Sequence, residues 1–183
     1  MIHGPTFYRN FDAGFAEAAP PSAVTRAKGA PSRYVAETPA GPVHFWFRVN
    51  SKASAIPNHP GEFWPVISDA DDATVSWYQR ASAEQVAAIL ELQKRVYDKV
   101  AAQEDFAAEV YREMRDAGLP LLLHHARTIP EPRLPHHALL YLDAGDAQAW
   151  GRLLGGAIEA WLEAFAANPE TVDSYMWRVH WSE

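Results

Sequence analysis

Cysteine is absent from the 183 residues of this chain, which removes disulfides, thiolate metal sites and thiol nucleophiles together. No segment approaches the ~18 consecutive apolar residues of a membrane span. Met1-Ile2-His3-Gly4-Pro5 lacks the basic stretch and apolar run of a secretory leader, so the chain reads as soluble and cytoplasmic. Clusters of Lys and Arg are missing as well. The formal net charge is −7, and without a basic footprint that tracks phosphates nucleic acid is not an expected partner. None of the serines stands in a Gly-x-Ser-x-Gly elbow, and no Gly-Lys-Ser/Thr follows a glycine-rich loop. With no catalytic signature, the reading falls against an enzyme, and no catalytic residue, metal or cofactor is nominated.

What is present is ordinary globular material: 48% apolar and 21% charged residues, enough for one self-sufficient core in a single domain spanning residues 1–183. Charge is unevenly placed. Residues 1–60 hold 6 Lys+Arg against 3 Asp+Glu, leaving 10 against 20 beyond them. That excess lies mostly on helical segments and suits a protein partner with a basic surface, with Glu109 and Glu113, one turn apart, as candidate contacts.

The strongest local signal runs from Val43 to Ile67. There two aromatic, strand-like runs, His44-Phe45-Trp46-Phe47-Arg48-Val49 and Glu62-Phe63-Trp64-Pro65-Val66-Ile67, flank a Pro-rich connection. Arg33–Glu37 should form a hairpin with 43–50, and Thr74–Gln79 a further strand, giving an antiparallel meander. Pro65 cannot donate to a ladder, which places it at an edge or in a bulge. Phe7, Phe11 and Phe15 recur at i, i+4, i+8 and predict a helix over 5–19, ended by Pro20-Pro21, with a loop to Ala30. Ser82-Ala83-Glu84-Gln85 is a capping-box pattern opening residues 83–117, read as one helix or as two broken near Gln103-Glu104-Asp105. A short buried strand is expected at 137–142. It is followed by one helix to about Ala167, with Trp150, Leu154, Ile158, Trp161 and Phe165 on a face, and by a last strand over 175–181. Gly151, Gly155 and Gly156 are read as permitting close approach of another element. The fold class is therefore α+β: an antiparallel sheet of about four to six strands with helices packed mainly on one face. The expected core is Phe7, Phe11, Phe15, Phe45, Phe47, Val86, Leu90, Val110, Leu140, Trp150, Leu154, Trp161, Phe165 and Trp177.

Period-two alternation puts His44, Trp46 and Arg48 on one face of their strand, and Met176, Arg178 and His180 on one face of the last. Should these sets share a sheet face, two Arg, two His and a Trp would suit an anionic or planar ligand. The plainer reading is a solvated face with amphipathic side chains lying on it. His124-His125 and His136-His137 bracket a Pro-rich loop, and one from each pair could meet a metal with Asp143 or His180. Their spacing matches no zinc signature, and packing or surface histidines are the commoner case. Asp69, Asp71 and Asp72 lack the distal Glu of a calcium loop and read as an acidic turn.

The order of helix, aromatic hairpin at 44–49, further strand Gly61-Glu62-Phe63-Trp64-Pro65-Val66, and then helices resembles small bacterial proteins of the contact-toxin immunity type. The resemblance covers residues 5–80 and rests on pattern. It implies stoichiometric binding of a partner protein and carries over no functional residue. Two functions follow: a non-catalytic binding module, or a small-ligand binder or enzyme using His44, Trp46, Arg48 and one of the loop histidines. A flat exposed patch favours the first and a deep pocket the second.

Overall fold

The computed structural model describes residues 2–20, 24–39, 41–49, 60–68, 74–75, 82–103, 112 and 139–167. The elements are α1 (Gly4–Ala18), β1 (Thr25–Arg26), β2 (Arg33–Thr38), β3 (Gly41–Val49), β4 (Gly61–Ser68), β5 (Thr74–Val75), α2 (Ala83–Ala101), β6 (Leu139–Tyr141), α3 (Ala144–Gly156) and α4 (Ile158–Ala167). The fold is α+β. A single antiparallel sheet runs β1-β2-β3-β4-β5, and β6 joins β4 on the same side as β5. The segment 20–30, expected to be all loop, contains the two-residue strand β1. Its Thr25 and Arg26 pair with Val35 and Tyr34, and no apolar alternation marks so short a piece.

Pro65 sits in β4 opposite Phe47. The Phe47 amide donates to Ser32 on the β2 side at 3.1 Å, so Phe47 and Pro65 form a pair without mutual hydrogen bonds, and the proline nitrogen faces away from β3. On that far side, among the described residues, β6 pairs with Gly61–Phe63 and β5 with Ile67–Ser68. There the proline has no N–H to offer a neighbouring strand, while its pairing with β3 loses no hydrogen bond.

The Phe7, Phe11, Phe15 stripe of α1 crosses the strands one after another. Phe7 meets Tyr141 of β6 and Phe63 of β4, with ring centroids 4.3 and 4.9 Å apart. Phe11 meets Phe47 of β3 at 4.5 Å, and Phe15 stacks on Tyr34 of β2 at 3.9 Å. The physical basis is a match of repeats: four helical residues rise ~6 Å while strands are spaced ~4.8 Å, so each successive ring reaches about one strand further.

α3 lies beside α1, in the same direction, at backbone contact. A Cβ on Gly14 would stand 2.1 Å from the Gln148 carbonyl oxygen, and one on Gly151 would stand 2.1 Å from that of Phe11. Gly155 is similarly close to Phe15, whereas Gly156 faces open space and is no packing device. The single helix expected to reach Ala167 is two, because α3 closes at Ala157, where the two glycines withdraw helix propensity. Above them Trp150 meets the Phe63 ring edge-on and Trp161 of α4 lies over Phe45.

α2 begins with the expected capping box between Ser82 and Gln85 and ends at Ala101, which settles the first part of the 83–117 stretch as a helix of its own. Its Val96, Tyr97 and Val100 pack on Leu140, on the sheet face opposite to α1. Both backbone groups of Leu140 point out of the ladder. The amide donates to Gln93 Oε1 at 3.1 Å and the carbonyl accepts from Trp150 Nε1 at 2.8 Å, so side chains close the outer edge of β6. Of the expected core, Leu90 is only half-buried. Val110 and Trp177, the side chains of Val86 and Phe165, and the strand expected at 175–181 lie outside the described residues.

Candidate functional site on the outer sheet face

The alternation in β3 is as expected. Phe45 and Phe47 are buried against the helices, while Trp46 and Arg48 are exposed and His44 is half-buried. Cross-strand partners share a face, so Arg33 and Val35 of β2 and Trp64 of β4, opposite Trp46, His44 and Arg48 respectively, join them. Trp46 is 40% exposed, the most open large apolar side chain among the described residues. The Arg33 guanidinium lies over its ring, 5.6 Å from the centroid, within the range at which the ring face attracts a cation. The sequence nominated Trp46 but not Arg33. Reading β2 against β3 in register is the signal that finds it. The His44 Nδ1 is shielded from solvent and makes no hydrogen bond.

Arg178 and His180, proposed to share this face, and Glu109 and Glu113, proposed as partner contacts, lie outside the described residues, as do His124, His125, His136, His137, Asp69, Asp71 and Asp72. Asp143, considered as a metal ligand, caps α3 by accepting from the Asp146 amide at 2.9 Å, and it pairs with Lys99 at 2.8 Å. Asp146, almost fully buried, also accepts from Lys99 and from the Leu142 amide. Among the described residues no three His, Asp or Glu side chains gather in a way that could hold a metal ion.

A second polar constellation was not legible in the sequence. Asp12 of α1 accepts from Ser32 Oγ at 2.6 Å and Tyr34 Oη at 2.7 Å through one oxygen, and from Arg26 at 2.5 Å through the other. Burial, then the hydrogen bond and charge of Asp12, drive the Tyr34 hydroxyl well above the phenol range, which keeps it a donor. Ser32 is fully buried at φ +48°, a left-handed conformation costing a non-glycine residue of order 1 kcal/mol. Its hydroxyl bond to Asp12 and its carbonyl bond from Phe47 hold it there.

No protein-family model, curated protein or solved structure matches this chain. The site is therefore read from its own geometry.

Proposed function

We propose that this chain is a non-catalytic, protein-binding module of the immunity type, engaging its partner stoichiometrically through the outer face of the sheet. The observation that carries the reading is the open Trp46, with the Arg33 guanidinium over its ring and an exposed Arg48 on the same face of the sheet. Trp and Arg dominate the energetics of protein interfaces, because a rigid ring and a delocalised cation lose little freedom on burial. A flat patch suits a protein surface better than a small molecule. The two guanidiniums select a partner with carboxylates opposite them, and neither nucleic acid nor a membrane is the proposed target.

A basic partner meeting an acidic helical surface is the other route to the same function. It rests on Glu109 and Glu113, and the neighbouring α2 does not extend it. The exposed charges there are Glu84, Glu91 and Asp98 against Lys94, Arg95 and Lys99, which sum to zero. The sheet face is accordingly the surface to test.

The experiment is affinity capture from native-cell lysate with the wild-type chain and with Trp46→Ala/Arg48→Glu as baits. A protein partner retained by the first and lost by the second, with unchanged melting, supports the proposal. Its association should slow as salt rises, since exposed charges act over a Debye length of roughly 8–10 Å. Equal capture by both baits would move recognition elsewhere. Recovery of a bound small molecule instead would favour ligand binding through His44, Trp46 and Arg48.

A further inference from the structure

Alongside α1, away from the outer sheet face, runs an open cleft of about 730 Å³ lined by Pro5, Tyr8, Arg9, Asp12, Ala13, Arg26 and Pro31. Pro5, Arg9, Asp12 and Ala13 recur at helical spacing and make one wall. Arg26 of β1 and Pro31 of the β1–β2 turn make the other. We propose that this cleft is a binding site for a small molecule that carries a carboxylate or phosphate group on a flat apolar body.

Three features lead there. First, Asp12 cannot be the ligand-binding group, because three donors already occupy its oxygens. Its role is to orient Arg26, whose side chain remains 58% exposed. A guanidinium offers five N–H donors in a fixed fork, so the bond to Asp12 leaves an edge free to meet an oxyanion. Secondly, Arg9 lines the same cleft, is exposed, and makes no ion pair among the described residues. The described lining therefore sums to +1, in a molecule whose total is −7. Thirdly, the rest of the described lining is Pro5, Pro31, Ala13 and the Tyr8 ring, rigid apolar surface that adds contact at little conformational cost. Tyr8 is itself positioned, since its hydroxyl accepts from the Val49 amide at 3.2 Å. The strained Ser32, pinned by Asp12, fixes the turn that carries Pro31 and so the width of the cleft. The preset arginine, the free arginine and the apolar walls together describe an oxyanion attached to something flat, rather than a free inorganic ion.

The test uses the full chain with benzoate and phenyl phosphate as probes, which separate the two oxyanions, and benzyl alcohol as the uncharged control. Isothermal titration is expected to show binding of one of the two anions and none of the alcohol. Arg9→Gln, an exposed change that leaves the melt intact, is expected to weaken binding about tenfold, the effect of losing one charge-assisted contact. Arg26→Gln should do at least as much. Ligand-induced NMR shifts should centre on Tyr8, Arg9 and Arg26. Failure of both anions to bind at about 10 mM, a weaker limit than specific recognition needs, would overturn the proposal. So would affinity indifferent to Arg9→Gln, or shifts centred on Trp46 and Arg48.

Discussion

Phe47 and Trp161 are each 1% exposed and embedded among rings, so truncation leaves a void that neighbours on rigid elements cannot fill. Phe47→Ala and Trp161→Ala are each expected to destabilise by about 3–5 kcal/mol in chemical denaturation. A loss below about 1 kcal/mol at both would mean that the buried face is assigned wrongly. A different residue-scale test concerns the Lys99–Asp143–Asp146 contact. Burial raises the Asp143 pKa, but the Lys99 bond and backbone amides outweigh it, leaving the carboxyl below its ordinary 3.8. Burial likewise opposes the charge on Lys99, yet its two carboxylate partners raise its pKa above 10.5. A depressed acid stabilises above its unfolded pKa and loses that contribution as pH falls through the folded value. A raised base stabilises below its unfolded pKa and loses it as pH climbs through the folded value. The melting deficit of Lys99→Met relative to wild type should therefore be constant from about pH 5 to 9 and shrink below about pH 4. The pair is half in water, so the plateau should be modest. A deficit that grew in acid would contradict the assignment.

At the scale of elements, the contact between α1 and α3 decides the most. Two helices at backbone contact exclude even a methyl group where they cross, and the obstacle at Gly151 is the Phe11 carbonyl, which cannot swing aside. Gly151→Ala is expected to cost about 3 kcal/mol or more in denaturation, the upper range for overpacking. Gly156→Ala, five residues on and facing open space, should be neutral or stabilising by up to about 1 kcal/mol through helix propensity. Equal effects at the two sites would contradict the crossing. The same close approach explains the ion pair on its rim, where Glu17 of α1 accepts from Arg152 and Gln148 of α3 at 2.5 and 2.9 Å. The hydrogen bond to Arg152 leads in holding the Glu17 carboxyl below its usual range. Local signals read these elements well where one residue type carries one meaning. The capping box at Ser82, the phenylalanine stripe of α1 and the alternation of β3 each formed as expected. They failed at β1, which is too short for a period, and at Ala157, where a stripe that continues through Ile158 and Trp161 hides a break in the backbone.

For the molecule as a whole, one face of the sheet is spent on the α1 and α3 aromatics. The other carries exposed Trp46 and Arg48 beside a half-buried Arg33, with α2 reaching it at the β6 end. Among the described residues no helix is long and apolar enough to cross a membrane. The order of residues by itself determined the α+β class, the antiparallel meander, most element boundaries and the inward and outward faces of β3. These depend on periodicity and on side chains a few positions apart, information that is local in the chain. Tertiary structure alone decided the crossing of α1 on α3, the turning of the Pro65 nitrogen away from β3, and the capture of Leu140 by Gln93 and Trp150. It alone brought Arg33 onto Trp46 and assembled Asp12 with Arg26, Ser32 and Tyr34. Each of these joins groups remote in the chain or depends on register between strands. Their pairing follows from how one element is placed on another, which no pattern within either element encodes.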